Sequence, residues 1–155
     1  MIQRIQSVYL LLIAILTSFT LFLPSASLIN KTGALNYIVN YKGVFLLQNS
    51  GPVFVQNVFS LSALTILILF VTILTIFLYK KRMLQIRLLF FNIVLMLGYY
   101  AILFIYLWQL GEKLNAEWIL KMVTAFPLIN VILSVLAIRA IGKDAALIKS
   151  LNRLR

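Results

Sequence analysis

Y-K-K-R-M-L-Q-I-R, Tyr79 to Arg87, places four positive charges within eight residues, with 37 uncharged residues before them and 24 after. Charge gathered between two such runs decides how the rest of the chain is read. A helix needs about 20 apolar residues to cross the hydrocarbon core of a bilayer, and short basic loops mark the cytoplasmic side. The stretch reads as a tight cytoplasmic turn between two membrane spans, with Lys80, Lys81, Arg82 and Arg87 fixing its orientation.

Composition points the same way. The 155 residues are 63% hydrophobic and 11% charged, whereas a soluble domain carries about 25% charged residues. A soluble fold of this size has too little interior to hide that much apolar surface. The net charge is +11, from 14 Lys or Arg against Glu112, Glu117 and Asp144. In a soluble protein that balance suggests nucleic acid. Here the placement of the charges makes orientation the reading, and no nucleic-acid partner is expected. The chain has no Cys and no His. That removes disulfides, thiol relays, imidazole ligation of zinc or haem, and a Ser-His-Asp triad. No cofactor, no metal and no enzymatic activity are expected.

Working outward from the basic turn, the uncharged runs give four spans. Span two cannot use all 37 residues from Gly43 to Tyr79, because that helix would run about 55 Å. Gly51-Pro52 breaks the run, so this span is placed at about 55–79. Span three is placed at 88–110. Span one lies within the 26 uncharged residues between Arg4 and Lys31 and is placed at 7–23, closed by Pro24. Span four is placed at 122–141; its uncharged stretch, Met122 to Ile138, has 17 residues, near the lower limit for crossing. Ten basic residues then fall on one side and four on the other. The larger group includes Arg4, the 80–87 cluster, Arg139, Lys143, Lys149, Arg153 and Arg155; the smaller is Lys31, Lys42, Lys113 and Lys121. Both termini are expected in the cytoplasm. Arg4 ahead of an apolar run, with Ser25-Ala26-Ser27 behind it, also resembles a secretory signal. The run is long for a signal core, so an uncleaved span is favoured.

The fold class expected is all-α transmembrane: a four-helix bundle with a small β-hairpin or short sheet in the first extracytoplasmic loop, residues 24–54. There Leu35, Tyr37, Val39 and Tyr41 alternate with Asn36, Ile38 and Asn40, which is strand periodicity. Lys42-Gly43 is the expected turn, Val44 to Gln48 the returning strand, and Asn30 to Gly33 a turn before them. The second outer loop, Gly111 to Lys121, is short, and Trp108 and Trp118 bracket it as interfacial anchors.

An ionisable group at mid-membrane would be the strongest functional signal, and none is present. Arg139 lies just inside the end of span four, where it can snorkel to phosphates. Asn92 and Asn130 are the strongest neutral polar groups. They differ in depth, so Asn130 is expected to meet Tyr99 or Tyr100 in a bond joining spans three and four. Ala14 and Ser18 are a small-xxx-small pair, and Pro127 marks a local kink early in span four. Residues 142–155 read as a basic amphipathic cytoplasmic tail, with a simple continuation of span four as the alternative. Leu147, Ile148, Leu151 and Leu154 share one helical face, and Lys143, Lys149, Arg153 and Arg155 suit anionic headgroups or a partner.

The end segments, MIQRIQSVYLLL at Met1 to Leu12 and LAIRAIGKDAALIKSLNRLR at Leu136 to Arg155, resemble an uncharacterised family of four-span inner-membrane proteins from Bacteroidota. The basic turn YKKRMLQIRL fits as well. The resemblance implies a bacterial inner membrane and four helices. The family is one of unknown function, so it implies no catalytic or binding residue. The layout, with a strand-bearing first outer loop and a short second one, is also similar to claudin-type proteins. Their paired Cys and Gly-Leu-Trp signature are absent, so only architecture is taken from that likeness. The function expected is a non-catalytic accessory or scaffold subunit of a larger membrane assembly, in contact with anionic lipid and other membrane-protein subunits. The alternative is a small oligomeric transporter or channel for a neutral or lipid-like solute.

Overall fold

The computed structural model describes residues 3–30, 36–48, 51–79 and 81–153, with side chains between residues 5 and 146. Helix α1 (Gln3–Phe22) leads into four strands, β1 (Ala26–Asn30), β2 (Asn36–Asn40), β3 (Gly43–Gln48) and β4 (Gly51–Gln56). Helices α2 (Phe59–Phe77) and α3 (Arg82–Leu114) follow, then strand β5 (Ala116–Leu120), a 3-10 turn (Met122–Ala125) and helix α4 (Phe126–Arg153).

The all-α class is corrected by the sheet. Its five strands run in the order β4-β3-β2-β1-β5, and every pairing is antiparallel. It draws on both loops: β5 pairs with β1 from Ala26↔Leu120 to Asn30↔Ala116. The physical reason is that β1 and β5 make each other strands. Neither A-S-L-I-N nor A-E-W-I-L carries an alternating pattern long enough to stand alone. Once the chain leaves a helix, though, its backbone groups must find partners, and the antiparallel register sets Ala26, where the chain leaves α1, beside Leu120, where it turns toward α4. The expected hairpin sits within this larger sheet as β2 and β3, turning at Tyr41-Lys42. Of the expected Asn30 to Gly33 turn, Asn30 ends β1 and Lys31 to Gly33 lie outside the described residues.

Gly43 carries a local constraint. Its φ is +150°, and an added Cβ would stand 2.6 Å from Phe54 Cε2 and 2.7 Å from the Gln56 carbonyl. β4 bulges here, since Val44 pairs with Gln56 and Phe45 with Phe54. An extra residue in one strand increases local twist, and the bare glycine lets the bulged strand cross. The Phe45 and Phe54 rings meet edge to face at 5.7 Å.

Each of four helices is long and apolar enough to cross a membrane, and large apolar side chains such as Phe90, Phe91, Leu97 and Ile105 face outward. This is a membrane protein. Helix α2 begins at Phe59 because residues 51–56 are taken by β4. Helix α3, at 33 residues, is about 50 Å long and overruns the ~30 Å hydrocarbon core. Arg82 and Arg87 therefore lie in its first turns instead of in a loop. The tail segment is helical and runs on from α4 through Arg153; Leu154 and Arg155 lie outside the described residues, as does Lys80.

Helix α1 packs on α4 and α2, and α3 packs on α2 and α4. Buried positions recur at steps of three and four. They are 6, 10, 13, 17 and 20 on α1, and 127, 130, 134, 137, 141 and 144 on α4. This 3.5-residue period is the seam of helices packed nearly parallel. The inner face of the sheet (Ala26, Leu28, Tyr37, Val39 and Val44) closes over the helix ends on Val58, Leu107 and Leu110. A smaller apolar cluster, Leu10, Leu89, Ala137 and Ile141, lies toward the opposite end.

Candidate functional site

The seam positions are unusually polar. Gln6, Thr17, Thr20, Thr65, Thr72, Thr75, Gln85, Asn92, Asn130, Ser134 and Asp144 are all buried. In lipid, apolar side chains provide little drive for helices to associate, so small and hydrogen-bonding residues do that work. The hydroxyls donate back into their own helices: Thr17 to the Ile13 carbonyl at 2.7 Å, Thr72 to that of Ile68 at 2.8 Å. Each keeps lone pairs free to accept. Asn92 Nδ2 donates to Thr72 Oγ1 at 2.9 Å, joining α3 to α2. Asn130 Nδ2 donates to Thr17 Oγ1 at 3.1 Å, joining α4 to α1. Gln85 donates to the Thr75 carbonyl at 2.9 Å, and the Gln6 amide donates to the Asp144 carboxyl.

Asn130 is thus paired with α1, not with Tyr99 or Tyr100 as its depth in the sequence predicts. The tyrosines instead organise the junction between helices and sheet. The Tyr99 and Ser25 hydroxyls are 3.2 Å apart. Tyr100 Oη donates to the Thr124 carbonyl at 2.6 Å and accepts from the Leu128 amide at 3.0 Å. Those are the two groups an α-helical ladder would join across one turn, so the hydroxyl bridges the ladder where α4 begins, next to Pro127. An inserted side chain and a proline are both recognised causes of a helix bend. Ser25 is the knot of the junction. Its amide donates to the Val39 carbonyl at 3.0 Å, and its carbonyl accepts from the Lys121 amide at 3.1 Å and from the Thr124 hydroxyl. Ser25 and Ala26, read in sequence as part of a signal-cleavage point, are buried here.

Among the described side chains, the basic residues singled out from the sequence share no hydrogen-bond or ion-pair partner. Lys81 caps α3 without a side-chain bond and is exposed, as are Arg87, Arg139 and Lys143. Arg82 is half-buried, and its Nη1 has no hydrogen-bond partner among the described residues. The side chains of Arg4, Lys149 and Arg153 lie outside the described ones. No group of three or more His, Cys, Asp or Glu comes together among the described residues.

The sheet supplies a surface that the sequence reading missed. Among the described residues β4 is paired only on its β3 side, and Val53, Phe54 and Val55 along it are exposed, Phe54 at 55%. Apolar residues on an open strand edge form a template for a further strand. In the sequence G-P-V-F-V-Q reads as a helix breaker followed by the start of a span, although Val-Phe-Val has strong β propensity.

A family profile described as a domain of unknown function, DUF4293, matches residues 2–154. The chain belongs to this family. The match covers nearly its full length, so spans, sheet and seam together make one DUF4293 unit. No curated protein and no solved structure matches the chain.

Proposed function

We propose that this DUF4293 protein is a non-catalytic accessory or scaffold subunit of a larger assembly in a bacterial inner membrane. In this reading both termini and the basic turn between α2 and α3 face the cytoplasm, and the sheet faces outward. Arg139, Lys143, Lys149, Arg153 and Arg155 meet anionic headgroups or a partner at the cytoplasmic surface, where each basic group contributes about 1 kcal/mol.

The observation that carries the reading is the open β4 edge with Val53, Phe54 and Val55 exposed. An exposed apolar edge is a liability unless a partner covers it, and strand addition to such an edge is a common recognition mode. Purification of the full chain in mild detergent is expected to bring down a stoichiometric larger complex. Val53→Lys with Val55→Lys is expected to release that complex while leaving the protein inserted. A homo-oligomer unaffected by these changes defeats the scaffold reading.

A second reading, an oligomeric transporter for a neutral solute, is favoured by one feature. All four helices touch a cavity of about 10 Å³ lined by Thr17, Thr20, Thr65, Ile68, Met96, Tyr99, Pro127 and Asn130. That is room for about one water, which is a tight route for a solute, so this reading stands second. Sidedness is tested in the Cys-free background. Gln48→Cys is expected to react with an impermeant thiol reagent from outside, and Ser150→Cys only after permeabilisation. The reverse pattern inverts the topology.

A further inference from the structure

The second outer segment builds a pocket of its own. An open cavity of about 520 Å³ lies between the last turns of α3 and strand β5, lined by Trp108, Gly111, Glu112, Asn115, Ala116, Glu117 and Trp118. Its walls hold both Trp of the chain and two of its three acidic residues. Local structure explains why they meet. Asn115 adopts the left-handed conformation at φ 47° and reverses the chain after α3. Gly111 lets β5 return closely, since a Cβ there would lie 3.3 Å from the Ala116 carbonyl and 3.7 Å from Trp118 Cδ1. Trp118 is set by an edge contact with Phe104 at 6.3 Å.

The electrostatics are the unusual part. The chain has 14 cationic side chains and three acidic ones, yet Glu112 and Glu117 make no hydrogen bond or ion pair from their carboxylates among the described residues. Lys113, next to Glu112, reaches Gln56 Oε1 at 3.5 Å instead. Two carboxylates left without a cation, beside two indole rings, form the chemistry that receives an ammonium group. Indole faces attract cations through their quadrupole, and Trp is the strongest ring for this. Depth indicates the source of that ammonium. Helix α3 overruns the hydrocarbon, and Trp side chains favour headgroup level.

We propose that this pocket holds the protonated amine of a zwitterionic phosphoethanolamine lipid headgroup from the leaflet on the sheet side. The amine sits between Glu112 and Glu117 and against the rings of Trp108 and Trp118, and the acyl chains run down the apolar outer face of α3.

Because both tryptophans line the pocket, the intrinsic tryptophan fluorescence of the full chain in detergent reports on this place alone. Titration with short-chain phosphatidylethanolamine is expected to give a saturable change. The same lipid with its amine acylated, and phosphatidylglycerol of equal chain length, are expected to give none. The doubly substituted Glu112→Gln, Glu117→Gln protein is expected to bind about tenfold or more weakly; both carboxylates are exposed and Gln is nearly isosteric, so its fold should persist. Free ethanolamine binding as tightly as the lipid overturns the lipid source. Equal responses to phosphatidylethanolamine, its acylated form and phosphatidylglycerol overturn the site and leave the two tryptophans as interfacial anchors only. The acylated-lipid comparison uses the unaltered chain, so it decides the matter whatever the double variant does.

Discussion

The two halves of this molecule are held together by different means. Within the helices backbone pairs with backbone locally, as lipid demands, except where Tyr100 bridges the first turn of α4. Association falls to scattered side-chain contacts such as Asn92 to Thr72 and Asn130 to Thr17. In the sheet the backbone itself provides the bonds, and β1 depends on β5, from beyond two helices, for one of its ladders. The helical half therefore divides its cohesion among many weak, replaceable contacts. The sheet half concentrates it at a few backbone positions where no substitute exists. Substitutions in the two halves should differ in size accordingly.

The largest effect is expected at Gly43→Val. The new Cβ would press on the Gln56 carbonyl at 2.7 Å, at φ +150°. A backbone neighbour cannot rotate away, and overpacking with strain together cost about 3 kcal/mol. Hydrogen exchange should show β3 and β4 losing protection while α1 to α4 keep theirs. Uniform loss across helices and sheet would mean that the two halves are not separately held.

Next in size is Asp144→Leu. It leaves the Gln6 amide buried without its acceptor at the end opposite the sheet, a loss of about 1–3 kcal/mol. Adding Gln6→Leu should recover most of it, because two apolar groups bury no orphaned donor. Thermal unfolding in detergent measures both. If the double variant is no more stable than the single one, the pair has a further role.

How much of this was legible beforehand follows the same division. The spans were readable because hydropathy is local: 26 uncharged residues ahead of Lys31 announce α1 without reference to anything else. The β2–β3 hairpin was readable because Leu35, Tyr37, Val39 and Tyr41 alternate with Asn36, Ile38 and Asn40. β1 and β5 were not, since their pairing links residues on opposite sides of two helices and five residues show no period. β4 was hidden by a true signal wrongly extended: Gly51-Pro52 does end one element, and the next is a strand, not a helix. Within the seam Asn92 and Asn130 stood out as amides in lipid. The threonines that accept from them did not, because a threonine in a membrane helix commonly bonds its own backbone, and these do that as well. Gln6 and Asp144 lay near span ends, where polar residues draw no notice; the spacing 6, 10, 13, 17, 20 would have placed Gln6 on the buried face.

Smaller again is Tyr100→Phe. Removing the hydroxyl unbridges the Thr124 carbonyl and the Leu128 amide. These two groups can then turn to each other, which limits the loss to about 1 kcal/mol. Faster exchange confined to the first turn of α4 is the expected sign. Exchange that spreads into β5 would show that Tyr100 also holds the sheet through Thr124.

The smallest effect is expected in the middle of the seam, at Asn130→Leu. The substitution deletes the bond to Thr17, but it strands nothing: the Thr17 hydroxyl keeps its own bond to the Ile13 carbonyl. It also removes a buried carbonyl oxygen, Asn130 Oδ1, that has no hydrogen-bond partner among the described residues, so part of the loss is returned. Side-chain hydrogen bonds between membrane helices average about 0.6 kcal/mol, with a maximum near 1.7, and this one should fall at or below the average. A double-mutant cycle with Thr17→Val isolates the coupling, provided each single change adds no new contact. Because Thr17 and Asn130 also line the one-water cavity touched by all four helices, the cycle tests more than a pair. A coupling well above 1.7 kcal/mol would mean that a buried water relays Asn130 to further partners. In that case the helical half has a concentrated point of its own, and the contrast with the sheet narrows.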